Sequence, residues 1–276
     1  MITKTLQNLR HSLRGSFFGK VLRSVGIAKV GLRYYENRVV KQGTHSCNIL
    51  GVPMTFAVRS STEITRIDSL VGEQQFVERI ANSLRSDDVF YDIGANIGMI
   101  SILVAKKMKG KLKRICCFEP EPDNAQELRE NLKLNGLSEI DVHQFALGDK
   151  EGTCELFVSG DVGGGSHSLA SGYKEGARAV EIEIKRGDHF VESSGFPPDV
   201  IKLDVEGAEL SVLRGLEQTL KAGRLRELFV EVHPKGMELF GDSADELTKW
   251  MESHRYECRW SEARGNQFHQ HYVFAG

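Results

Sequence analysis

The stretch Val89-Phe90-Tyr91-Asp92-Ile93-Gly94-Ala95-Asn96-Ile97-Gly98 constrains this chain more than any other. An apolar strand carrying one acid runs into a turn with two glycines, and Met99 to Lys107 then reads as a buried helix. Strand, glycine-rich turn and helix open a nucleotide-binding α/β unit, where glycine lets a ligand approach the backbone closely. The spacing D-x-G-x-x-x-G is not G-x-G-x-x-G, so the pyrophosphate turn of NAD enzymes is missing. No Lys-Ser or Lys-Thr follows the second glycine, which excludes a P-loop.

The motif resembles the first motif of class I S-adenosylmethionine methyltransferases; the alternative is a tight turn in an unrelated α/β protein. That resemblance implies Asp92 facing the ammonium of the cofactor's amino acid end, with Gly94, Asn96 and Gly98 shaping the turn around it. A second strand, Arg114 to Phe118, ends at Glu119-Pro120. An acid there, about twenty residues beyond the glycines, stands where nucleotide-binding folds grip ribose hydroxyls, and a carboxylate suits a cis-diol. After a third strand, Ile140 to Phe145, the adenine is expected against the backbone at Ala146.

The next segment departs from simple alternation. Thr153 to Val158 and Ala179 to Lys185 alternate apolar and polar residues, as an antiparallel pair does. The Gly/Ser-rich run between them, residues 159–172, is long enough for a lid or a recognition loop, with His167 and Ser168 as candidate substrate contacts. Then comes Asp199-Val200-Ile201-Lys202-Leu203-Asp204-Val205-Glu206-Gly207-Ala208-Glu209. Lys202, Asp204 and Glu206 share one parity near the carboxyl end of a strand, where doubly wound sheets bind ligands. An exposed acidic helix cap accounts for Glu206 and Glu209, but not for Asp204. Strand five, Leu225 to Val232, carries Glu231 and leads to His233, so adjacent tips would unite Asp204, Glu206, Glu231 and His233. Glu73, before a helix at Gln74 to Leu84, is a further candidate near the cleft.

Charge is uneven along the chain. Before Thr62 the only acid is Glu36, against Lys4, Arg10, Arg14, Lys20, Arg23, Lys29, Arg33, Arg38, Lys41 and Arg59. Apolar residues at helical spacing over 2–25 make a basic amphipathic pattern that fits three settings: docking on its own domain, an anionic membrane surface, or a mitochondrial presequence. A hairpin is expected over 47–58 with Gly51 and Pro53 at its turn. The five cysteines show no metal-binding spacing, and the adjacent pair Cys116-Cys117 points to opposite faces of a strand, so a reducing compartment is expected. No apolar run is long enough for a transmembrane helix.

Together D-I-G-A-N-I-G, F-E-P, the loop with Ser-His-Ser-Leu, I-K-L-D-V-E-G-A-E and V-E-V-H resemble the FkbM-type S-adenosylmethionine-dependent methyltransferases, over roughly residues 70 to 235. The resemblance implies a doubly wound, mostly parallel seven-stranded Rossmann-like α/β sheet with a β-hairpin insertion. It implies O-methylation of a small molecule: a sugar or glycan, a glycolipid or a polyketide. Residues 1–62 are expected to form a basic extension and 63–276 the catalytic domain, in the cytoplasm or at a membrane periphery. Asp92, Gly94, Asn96, Gly98, Glu119 and Ala146 would hold cofactor, and Asp204, also a candidate catalytic residue, would touch either the cofactor's amino acid end or the acceptor. Glu206 and His233 are the candidate bases, with Glu231 orienting His233. A divalent cation on Asp204, Glu231 and His233 is chemically open, but no ligand spacing requires it and no metal is assigned. An RNA methyltransferase using the basic amino terminus is disfavoured, because the Asn/Asp-Pro-Pro-Tyr/Phe and Pro-Cys signatures of base methylation are absent. A non-catalytic scaffold would need none of Asp92, Glu119 or Asp204.

Overall fold

The computed structural model describes residues 27–158, 167–168 and 178–276; the amphipathic pattern over 2–25 lies outside them. Helix α1 (Ile27–Gln42) leads into the hairpin β1 (Thr44–Ile49) and β2 (Val52–Ala57), then α2 (Ser61–Ser69) and α3 (Gln74–Ser83). The alternating core follows as β3 (Val89–Ile93), α4 (Met99–Met108), β4 (Arg114–Phe118), α5 (Pro122–Leu134) and β5 (Asp141–His143). An insertion contains β6 (Ala146–Gly148), β7 (Gly152–Val158), β8 (His167–Ser168) and β9 (Arg178–Arg186). The chain returns through α6 (Gly187–Ser194), β10 (Val200–Leu203), α7 (Glu209–Gly215), α8 (Glu217–Lys221) and β11 (Glu227–Val232). It closes with α9 (Pro234–Leu239), α10 (Ala244–Ser253), β12 (Tyr256–Arg264) and β13 (Gln267–Phe274).

Seven strands form the central sheet in the order β12-β13-β11-β10-β3-β4-β5. β5, β4, β3, β10 and β11 run parallel, while β13 and β12 add on antiparallel. The chain winds outward from β3 in both directions, so the switch point falls between β3 and β10. Ligands bind there, outside the carboxyl ends of the strands.

Parallel strands are buried on both faces, which is why they read as near-continuous apolar runs. Phe90, Ile115, Cys117, Val200 and Phe229 pack on one face against α3, α4 and the hairpin. Tyr91, Cys116, Phe118, Ile201 and Val230 pack on the other, against α7, α8, α9 and α10. The adjacent cysteines are thus free thiols in opposite core layers. Tyr35, Val39, Met54 and Phe56 belong to the first layer, so the segment from α1 to β2 shares a core with the central sheet. Asn131 on α5 and Asn135 just past its end bind the backbone of Ala57 and Thr55, fixing the hairpin against the domain.

Two local details differ from the sequence reading. Pro53 lies within β2 opposite Asn48, and the turn is Leu50-Gly51. Proline is tolerated because a two-stranded hairpin consists only of edges. Helix α2 lies where no element was expected. Ser60 caps it, accepting from the Glu63 amide at 3.3 Å while the Glu63 carboxylate accepts from the Ser60 amide. The insertion is a separate four-stranded sheet, β6-β9-β7-β8, beside the carboxyl end of β5. Among the described residues no helix is long and apolar enough to cross a membrane.

Candidate active site

Glycine is required where β3 ends. Gly94 has φ +76°, and a Cβ on it would lie 1.7 Å from the Asp204 carbonyl oxygen, so the β3 turn and the end of β10 touch backbone to backbone. Beneath that contact Asp92 and Lys202 face each other across the register of β3 and β10. Lys202 Nζ donates to the Gly94 carbonyl at 2.7 Å and lies 3.1 Å from Asp92 Oδ1 and 3.6 Å from Asp204 Oδ2. Ser101 Oγ donates to Asp92 Oδ2 at 2.6 Å. Burial opposes the charge on Lys202, but Asp92 and Asp204 outweigh it and raise its proton affinity.

An apolar recess opens above the tips of β3 and β4. Ile93, Phe118, Phe145, Leu147, Leu156 and Ile182 line it, with Gly94, Asn96, Glu119, Pro120 and Ala146. Glu119 is its buried carboxylate, accepting from the amides of Asn96 at 2.8 Å and Glu121 at 3.0 Å. Burial nevertheless raises its pKa to about 7, against those two hydrogen bonds. Each carboxylate oxygen keeps a lone pair for a further donor.

A second recess adjoins the first, sharing Arg66, Asp204 and Glu206, and is lined otherwise by Glu73, Glu231, Arg264, Gly265 and Gln267. Glu73 pairs with Arg264 at 3.0 Å. Beside three of its carboxylates stands His233, whose Nε2 lies 3.8 Å from Asp204, 3.7 Å from Glu206 and 3.9 Å from Glu231. Its Nδ1 is 2.7 Å from Glu209 Oε1. Glu206 reaches the cluster through a left-handed backbone, φ +53°. Gly207 follows at φ +116°, where a Cβ would sit 2.4 Å from the Gly236 carbonyl carbon, so α9 clamps this turn.

Charge in the cluster is strongly coupled. Burial and the neighbouring Asp204 push the Glu206 carboxyl up to about 8. Burial works against His233, yet the hydrogen bond with Glu209 and the carboxylates of Asp204 and Glu206 raise it to about 10. Glu231 goes the other way. Burial opposes its charge, but His269 and His233 hold its carboxyl down at about 2. At neutral pH the group poised to change protonation is Glu206.

A family model described as "Methyltransferase FkbM domain" matches residues 92–258. The chain is 32% identical over 186 residues to hexuronic acid methyltransferase AglP of Haloferax volcanii, covering 67% of this chain and 72% of that one. The chain belongs to the FkbM methyltransferase family. It is 27% identical over 155 residues to 2-O-methyltransferase NoeI of Sinorhizobium fredii, spanning 51% of this chain and 62% of NoeI. The FkbM methyltransferase structure from Methylobacillus flagellatus KT aligns over 90% of this chain and 60% of its own at 19% identity, with a TM-score of 0.49. As a family member the protein is a methyltransferase, and its methyl donor is S-adenosylmethionine.

The apolar recess fits that donor: aromatic and aliphatic walls for a base, and one buried carboxylate with spare lone pairs for a diol. Gly94, Asn96, Glu119, Ala146 and Asp204 line it together. Asp92 does not. It is fully buried under the turn and engaged with Ser101 and Lys202, so it positions the turn from below. Gly98 is also off the wall, since its missing Cβ makes room for Leu128 of α5, 2.2 Å away. Glu73 lines the polar recess. The backbones of His167 and Ser168 pair with Val158 and Phe157, and the loop residues on either side lie outside the described residues.

Glu209, not Glu231, orients His233, because only Glu209 reaches a ring nitrogen at hydrogen-bond distance. Expected as an exposed cap, Glu209 is 0% exposed. Its place four residues before Leu213 on a buried helix face was the available signal. Arg66, Arg264 and Gln267 were not foreseen. They come from α2 and the β12–β13 hairpin, and nothing local in their sequence marks them.

Proposed function

We propose that the protein transfers the methyl group of S-adenosylmethionine to a hydroxyl of a sugar or glycan acceptor. The observation that carries this reading is the polar recess beside the cofactor recess, joined to it through Asp204 and Glu206. Its lining of carboxylates, guanidiniums and an amide suits an acceptor rich in hydroxyls more than a flat apolar ring or a polyketide chain. The names of AglP and NoeI, a hexuronic acid methyltransferase and a 2-O-methyltransferase, support the same class.

The sulfonium of the donor supplies an electrophilic methyl. What this chain contributes is alignment of the acceptor oxygen and a place for its proton. Glu206 faces both recesses and has the proton affinity of a base near neutral pH. His233 stays charged in the same range and holds the Glu206 carboxylate in place electrostatically. The test is transfer of tritiated methyl to a panel of neutral and uronic acid glycosides, with the product treated by mild alkali. Alkali-stable label on a glycoside supports ether formation at a hydroxyl. Label lost entirely to alkali marks a methyl ester and contradicts the reading.

A further inference from the structure

We propose that Asp204, Glu206 and His233 form a divalent-cation site, of the Mn²⁺ or Mg²⁺ class, which receives adjacent hydroxyls of the acceptor. One ligand atom from each of the three lies within 4.8 Å of the others. Ions bound at about 2.0–2.3 Å separate their ligands by such spacings. The acids alone would not suffice; the imidazole decides. His233 is 6% exposed, and its Nδ1 is committed to Glu209 at 2.7 Å. Among the described residues its Nε2 has no hydrogen-bond partner, and it faces oxygens of Asp204 and Glu206 at 3.8 and 3.7 Å. Those gaps are too long for hydrogen bonds and suited to ligands around one ion.

Glu209 completes the pattern. A ligating histidine almost always donates its other ring N–H to a carboxylate, which fixes the tautomer and aims the free nitrogen. Glu209 is wholly buried and does this for Nε2, so a bound ion would take the place of the Nε2 proton that His233 otherwise keeps and supply the positive charge beside Glu206 in its stead. Two carboxylates and one imidazole favour a hard or borderline divalent ion. Its remaining positions would open to the polar recess, where Asp204 and Glu206 form part of the wall. Each carboxylate offers the ion one oxygen and keeps another, so Glu206 retains an oxygen for the acceptor's proton. The choice of acceptor rests on the methyl-transfer reading above; the ion site stands on this geometry.

The test is titration of EDTA-stripped full-length protein with MnCl₂, followed by calorimetry and electron paramagnetic resonance. Wild type should bind one Mn²⁺ per chain, and pulsed spectra should show nitrogen coupling from an imidazole. His233→Ala and Glu209→Gln should weaken binding by roughly tenfold or more while S-adenosylhomocysteine still binds, showing that the fold is kept. Absence of saturable Mn²⁺ binding, or a wild-type complex with no nitrogen coupling, overturns the site whether or not the variants fold. Mn²⁺ binding unaltered in both folded variants overturns it equally. Imidazole-coordinated Mn²⁺ without methyl transfer to any glycoside would leave the site standing and remove the proposed function instead.

Discussion

The two recesses are built from different materials. The apolar recess, proposed for the cofactor, is walled by Phe118, Phe145, Leu147 and Ile182, with Glu119 its deeply buried carboxylate and Asp204 and Glu206 at the shared edge. The polar recess, proposed for the acceptor, brings Arg66, Glu73, Glu206, Glu231 and Arg264 together with hardly an apolar side chain among them. On the proposed reading the first would select by shape and by excluding water, anchored by Glu119. The second would select by hydrogen bonds and charge, as a site for a polyhydroxylated molecule must. The contrast teaches where each function is stored. The apolar recess is lined mainly from two successive strand tips and the insertion, whereas the polar recess collects residues from α2, β10, β11 and the β12–β13 hairpin.

Gly94→Ala should do most damage, because it strikes the seam between the recesses. The added Cβ meets the Asp204 carbonyl at 1.7 Å in a left-handed backbone. A loss of about 4 kcal/mol or more, of the size seen for severe core strain, should appear in thermal melts, with both cofactor binding and turnover gone. Glu206→Gln should separate the sides: turnover falls about 10²–10⁴-fold, the usual range for a lost general base, while calorimetry shows little change in S-adenosylhomocysteine affinity. Equal loss of both would mean that the recesses are not distinct. Glu119→Ala is the converse. Loss of hydrogen bonds to a charged group, about 1.5–3 kcal/mol, should weaken cofactor binding roughly ten- to hundredfold and leave the rate at saturating donor largely intact.

pH sharpens the comparison further. A carboxyl raised to about 8 is mostly protonated at neutral pH and frees its base form as pH rises. Without added metal, turnover should therefore climb about tenfold between about pH 7 and pH 9. His233, raised to about 10, stays charged throughout. A profile flat over this interval would remove Glu206 from the proton transfer. The mildest effect is expected for Glu73→Gln, which frees Arg264 from its partner. It should raise the acceptor KM a few-fold with cofactor affinity unchanged, by less than about 1 kcal/mol as for a partly exposed ion pair.

Legibility followed the same division. Strands β3, β4 and β10 and the residues Gly94, Glu119 and Asp204 stand in short motifs whose period and turn chemistry are local, so the sheet and the residues that meet at the apolar recess could be read directly. Asp92 was found but given too direct a role, because sequence cannot show that Lys202 and Ser101 already occupy its carboxylate. Helix α2 did announce itself, since Ser60-x-x-Glu63 is a capping box ahead of Ile64 and Ile67. Arg66, on that helix, and Arg264, on β12, had no such signal. Arg264 enters the site because the sheet order places β12 and β13 beyond β11, and Arg66 because α2 packs beside the same recess.

The most direct measurement is a crystal structure with S-adenosylhomocysteine bound. The ribose hydroxyls should lie within hydrogen-bond distance of Glu119, the base among Phe118, Phe145 and Leu147, and the sulfur should turn toward Asp204 and Glu206. A nucleoside bound away from Glu119, or a sulfur facing away from the polar recess, would contradict this assignment.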